Sequence, residues 1–84
     1  MQAVDGDTIR YGLKRIRLRG YNAPELSEPG GVEAAQRLAQ LLKEGPIRLV
    51  PHGQDVYART VADVFVNEQN VAEIMVAEGY GRRS

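Results

Sequence analysis

Arg15-Ile16-Arg17-Leu18-Arg19 alternates basic and apolar residues with a period of two. That is the pattern of a strand with one face on a core and the other in water. Asp5-Gly6-Asp7-Thr8 stands before it, and Gly20-Tyr21-Asn22-Ala23-Pro24-Glu25 follows. Tyr11-Gly12 reads as the tight turn of a hairpin joining the two halves. Pro24 ends the alternation, and Ser27 to Gly31 is loop by composition.

Working outward, Glu33 to Glu44 carries Ala34, Ala35, Leu38, Leu41 and Leu42 at helical spacing, with Gly45 as its stop. Ile47 to Val50 reads as a short strand entered through Pro46, and His52-Gly53-Gln54-Asp55 as a loop. Thr60 to Val66 is β-branched and apolar, with Asp63 its one charge, and reads as a strand. Asn70 is placed to cap a helix with Glu73 as its capping-box partner; that helix runs to about Glu78 and stops at Gly79. The order β-β-β-α-β-β-α predicts a five-stranded barrel plugged by two helices, which closes short strands without leaving edges.

Eighty-four residues suffice for one small domain. The apolar share of 43% and charged share of 26% are those of an ordinary globular chain. With no Trp and one Phe, the core must be aliphatic. The formal net charge is zero, so no bulk basic field draws in nucleic acid. The distribution is more informative: Arg10, Lys14, Arg15, Arg17 and Arg19 fall in one ten-residue stretch with no acid among them. Absence of Cys excludes disulfides and thiolate metal sites. No run is long enough to span a membrane. Residues 1 to 4 lead straight into the acidic motif without a leader pattern.

Taken singly, the polar motifs are ordinary. Asp-Gly-Asp is usually a turn, a loop glutamate is usually solvated, and an arginine usually sits in a surface ion pair. Together they make another set. Two acidic groups, the Asn22 amide and a backbone carbonyl offer oxygen ligands to a hard cation such as Ca²⁺. Glu25 offers a carboxylate base, and Arg17 and Arg59 two guanidinium groups for a phosphorane-like transition state. Tyr57 is placed to stack on a base or to cover the barrel end. His52, the only imidazole, is a loop residue without a role.

The ordered combination Val4-Asp5-Gly6-Asp7-Thr8, Arg17-Leu18-Arg19 to Ala23-Pro24-Glu25, Tyr57-Ala58-Arg59, and Val71-Ala72-Glu73 to Glu78-Gly79-Tyr80 resembles the thermonuclease, or staphylococcal nuclease-like, family. The resemblance implies an oligonucleotide-binding (OB) barrel over residues 1–84, clipped at both ends, and Ca²⁺-dependent hydrolysis of DNA or RNA that leaves 3′-phosphate ends. It implies Asp7 as a metal carboxylate, Glu25 as general base, and Arg17 and Arg59 as the catalytic arginines. Asn22 stands where better-known members have a second metal-binding Asp, which removes one negative charge. Ala23 stands where they have a Thr whose carbonyl binds the metal. The family is often secreted or periplasmic. The substrate expected is single-stranded DNA or RNA; the alternative is an OB module that binds nucleic acid or protein without catalysis. Clipped ends predict self-association, with Val4, Ile74, Met75 and Tyr80 left uncovered.

Overall fold

The structure, a computed structural model, describes residues 1–84. The chain runs β1 (Gln2–Ala3), β2 (Thr8–Tyr11), β3 (Lys14–Leu18), β4 (Tyr21–Asn22), α1 (Gly31–Leu41), β5 (Ile47–Gln54), β6 (Thr60–Val66), β7 (Gln69–Asn70), α2 (Val71–Ala77) and β8 (Arg82–Arg83). Both helices and the five main strands match the sequence reading. Three two-residue strands (β4, β7 and β8) are additional, too short to leave a periodic trace.

The main sheet has the order β1-β2-β3-β6-β5, with β7 added to β6. β2 and β3 form an antiparallel hairpin in which Ile9 faces Ile16. β3 then runs parallel to β6, and β6 antiparallel to β5. This is an OB-like α+β fold, but its sheet is not closed into the expected barrel. β1 bonds only β2, and β5 only β6. The two-residue β1 carries too short a ladder to reach across to β5 as well.

The core is one aliphatic cluster. The hairpin contributes Ile9, Ile16 and Leu18, and β6 contributes Ala62, Val64 and Val66 at strict alternation. α1 adds Ala34, Leu38 and Leu41, and α2 adds Val71, Ala72 and Met75. Each large aliphatic side chain fully buried here gains roughly 1.5–3 kcal/mol over exposure. Met75, expected to be uncovered, is fully buried. Ile74 and Tyr80 are half-buried against the cluster, and Val4 is 37% exposed.

Three boundaries move. α1 begins at Gly31, two residues before Glu33, and its cap residue is Leu42. Gly45 is no helix stop: a Cβ there would meet the Asn67 side chain at 2.0 Å, so its role is to admit that amide, whose Nδ2 donates to the Glu44 carbonyl. β5 continues beyond Val50 through His52, Gly53 and Gln54 instead of becoming loop, with a register shift between Pro51 and Gln54. A strand on the sheet's outer edge tolerates a proline and a bulge, since its outward N–H groups have no partner to lose. Asn70 caps α2 as read, accepting the Glu73 N–H at 3.1 Å.

Candidate functional site

The loop from β1 to β2, the turn after β3 and the loop before β6 meet at one end of the sheet. Asp5, Asp7, Arg17, Asn22, Ala23, Glu25 and Arg59 line a single hollow of about 250 Å³ there. All six residues expected at the metal and catalytic positions thus lie together. Tyr57 lies next door, lining a second hollow of about 430 Å³ with Arg15, Glu25 and Arg59.

Asp7 is fixed by its neighbours. Its Oδ2 accepts the Ala23 N–H at 2.8 Å and its Oδ1 the Thr8 hydroxyl at 3.2 Å. The Arg17 guanidinium lies 3.6 Å from Oδ2. Burial pushes the Asp7 carboxyl above its ordinary value; the Ala23 N–H and Arg17 pull it down, and Asp5 pushes it up again. A carboxylate penalised in this way is one that an additional cation would relieve.

Arg17 reaches back over its own turn. Its Nη1 donates to the carbonyls of Leu18 at 2.7 Å and Tyr21 at 2.6 Å, and its Nη2 to Asn22 Oδ1. The same guanidinium therefore shapes the turn that presents Asn22. A guanidinium has five N–H donors, so two remain for an incoming anion.

Arg59 is held by Asp55. Its Nε donates to Asp55 Oδ2 at 2.7 Å, and its Nη1 to the buried Thr8 hydroxyl at 3.3 Å. The remaining three N–H groups are free. The Tyr57 ring lies 5.3 Å from the same guanidinium, in cation–π range.

Glu25 is exposed, and its carboxylate has neither an ion pair nor a hydrogen bond from another group. Its backbone is pinned instead. The Glu25 N–H donates to Glu28 Oε1 at 2.8 Å, and the Glu28 N–H donates to the Glu25 carbonyl at 2.9 Å. Gly31 packs so tightly beneath it that a Cβ there would lie 1.8 Å from the Glu25 carbonyl oxygen. The start of α1 thus sets the height at which Glu25 enters the hollow.

The donors on offer to a metal are hard oxygens: Asp5, Asp7, the Asn22 amide and the Ala23 carbonyl. They fit a Ca²⁺-like ion in kind. In charge the set is lean: Asp5, Asp7 and Glu25 share the hollow, but no three carboxylate or imidazole groups stand close enough to hold one ion together. The Asn22 oxygen is already engaged by Arg17. Buried Tyr21, beside this set, has the one buried side-chain polar atom without a partner. Burial and the Asp7 charge push its hydroxyl up to about 12.

Three contributors escaped the sequence reading. Asp5 accepts the Asp7 N–H at 3.1 Å and lines the hollow. Thr8 bridges Asp7 and Arg59, and Asp55 orients Arg59. The last had a signal: an Asp two and four residues before Tyr57 and Arg59 is spaced for an Asx turn.

One end of the OB-like sheet thus brings together two arginines, a free glutamate and a set of hard oxygen donors. The family model described as staphylococcal nuclease homologue matches residues 15–84, and the chain belongs to that family. A Haemophilus influenzae protein described as an uncharacterized endonuclease is 35% identical over 80 residues, covering 89% of this chain and 45% of that protein. The micrococcal nuclease of Shigella flexneri is 33% identical over 92 aligned positions, covering 94% of this chain and 53% of its own length. A staphylococcal-like nuclease of Arabidopsis thaliana is 34% identical over 65 residues, covering 77% of this chain and 20% of that protein. The chain thus spans about half the length of the bacterial relatives and less of the plant one. No helix is long and apolar enough to cross a membrane.

Proposed function

We propose that residues 1–84 form one staphylococcal nuclease-like domain that hydrolyses phosphodiester bonds in single-stranded DNA or RNA and leaves 3′-phosphate ends. The observation that carries this reading is the convergence of Asp7, Arg17, Glu25 and Arg59 on one hollow. The free N–H groups of Arg17 and Arg59 grip the non-bridging oxygens of the scissile phosphate, where charge grows at five-coordinate phosphorus. Glu25 takes a proton from water as its oxygen attacks phosphorus. The bond from phosphorus to the 5′ oxygen breaks, and the electron pair leaves with that oxygen. Tyr57 covers an adjacent base. Asp7, Asn22 and the Ala23 carbonyl would hold Ca²⁺, which when bound neutralises phosphate charge.

A second reading is an OB module that binds nucleic acid without cleaving it. The engagement of Asn22 by Arg17 and the shortage of carboxylates favour it. Cleavage of end-labelled single-stranded DNA in Ca²⁺, and again after EDTA, decides between the two. The nuclease reading expects Ca²⁺-dependent fragments with 3′-phosphate ends, and a loss on the order of 10²–10³ in kcat for Arg59→Lys. Binding without fragments in either condition establishes the module instead.

A further inference from the structure

Arg10 and Arg15 stand directly opposite each other on the β2–β3 hairpin. Opposed residues of an antiparallel pair share a face, and so do Arg15 and Arg17, two apart on β3. One face of the hairpin therefore carries Arg10, Arg15 and Arg17 in a row leading out of the hollow. Like charges directly opposed on a ladder destabilise it. Arg17 has Asp7 as a partner, but neither Arg10 nor Arg15 has a carboxylate within ion-pair distance. Both are exposed. In a chain of zero net charge this is a local arrangement, not a by-product of composition.

Arg15 is also aimed. Its Nη2 donates to the Tyr57 carbonyl at 3.0 Å, which keeps the guanidinium at the rim of the hollow it shares with Glu25, Tyr57 and Arg59. Its remaining N–H groups have no partner in the protein. Strand residues two apart are about 6.6 Å apart, a spacing of the same order as consecutive phosphates in an extended polynucleotide.

The geometry points to a second phosphate subsite, made by Arg10 and Arg15, for the phosphodiester next to the one gripped by Arg17 and Arg59. It rests on the nuclease reading for the position of the scissile phosphate. The subsite contacts backbone phosphate alone, so it reads polymer rather than sequence. It makes the protein prefer oligonucleotides over mononucleotides. Arg suits the task because its planar fork meets two phosphate oxygens at once.

Binding is measured in a Glu25→Gln background, so that cleavage does not intervene. The probes are a thymidine octanucleotide, a uridine octanucleotide and thymidine 5′-monophosphate, whose single phosphate fills one position only, each at several salt concentrations. Adding Arg10→Ala and Arg15→Ala is expected to weaken both octanucleotides by about tenfold for each charge-assisted hydrogen bond lost. The slope of log affinity against log salt should become shallower by about 0.7 for each phosphate contact removed. Thymidine 5′-monophosphate affinity should stay the same. The melting temperature should hold or rise, because a repulsive pair is gone. Unchanged octanucleotide affinity and salt slope would overturn the subsite. So would an equal loss on thymidine 5′-monophosphate, a loss confined to the uridine probe, or a fall in melting temperature that accounts for the weaker binding. If the parent protein cleaves nothing while the octanucleotide losses appear as expected, the subsite stands and the nuclease reading falls.

Discussion

Asp55 and Arg59 hold each other on three sides. Asp55 Oδ2 accepts the Arg59 Nε–H at 2.7 Å, Oδ1 accepts the Arg59 N–H at 3.0 Å, and the Asp55 N–H donates to the Arg59 carbonyl at 2.9 Å. The loop before β6 is closed on itself around one carboxylate. That closure lets an arginine on a loop present its free N–H groups in a fixed direction.

Asp55→Ala is therefore expected to lower kcat by about 10², the scale of a catalytic group displaced by an ångström. Asp55→Asn keeps an acceptor for the backbone N–H groups and should recover part of the loss. Partial burial pushes the Asp55 carboxyl up, but hydrogen bonds from the Arg59 and Tyr57 N–H groups and from the Arg59 guanidinium outweigh it. The folded value thus lies below the ordinary 3.8. The stabilisation is complete above 3.8 and is lost as pH falls through the lower folded value. Acid titration of folding, followed by circular dichroism, should show that loss in the parent and not in Asp55→Ala.

Ala58 sits inside this loop with φ at 60°, the left-handed region. A residue with a Cβ pays roughly 1–2 kcal/mol there. Part of that is offset by the greater freedom a glycine would have in the unfolded chain. Ala58→Gly should raise stability by up to about 1 kcal/mol. Urea unfolding checks it: the midpoint should rise at unchanged slope.

Asp7 works in the opposite sense to Asp55. Its folded value is raised, chiefly by burial, so the folded state favours the protonated carboxyl. Its contribution to stability is fully present below 3.8 and is lost as pH rises through the raised folded value. Asp7→Asn, an amide that still accepts from Ala23, should therefore melt higher than the parent at neutral pH in EDTA. The difference should shrink as pH falls to 3.8, and cleavage should be lost throughout. A parent more stable than the variant at neutral pH contradicts the argument.

The amide at Asn22 limits the charge available to a cation. Asn22→Asp adds a carboxylate and also a stronger partner for Arg17, whose Nη2 already donates to the Asn22 oxygen. The added charge should tighten Ca²⁺ binding by on the order of tenfold. Isothermal titration of the two proteins measures it. Equal affinities would mean that Arg17 keeps the new carboxylate for itself.

What the sequence disclosed was local. The alternation of Ala62, Val64 and Val66, the β2–β3 hairpin (whose turn falls at Gly12-Leu13, one residue beyond Tyr11-Gly12) and the Asn70 cap each depend on neighbours within a few residues. What it hid was tertiary. Pro51 and Gly53 look like strand breakers and are tolerated only because β5 lies at the sheet's edge. Met75 looked exposed until α2 was seen to seat it in the core. The motifs assembled at one end of the sheet, but Arg17's grip on the turn carbonyls and on Asn22 could not be read from spacing. It arises from a turn that folds back on its own strand.

The open sheet has one consequence for association. β5 offers an outer edge with no bonded neighbour, and β1 likewise has no strand bonded to its outer side. Unpaired edges recruit other strands. Self-association through β5 is expected, with an apparent melting temperature that rises with protein concentration. Val50 is half-buried on that strand, opposite Asp63 in the register. Val50→Lys places a charge on the edge, the usual means of blunting one. It should return the protein to monomer and remove the concentration dependence. Light scattering with melts at several concentrations reads both effects. A parent that is strictly monomeric, with a high melting temperature independent of concentration, would mean that β5's edge is quiet without help.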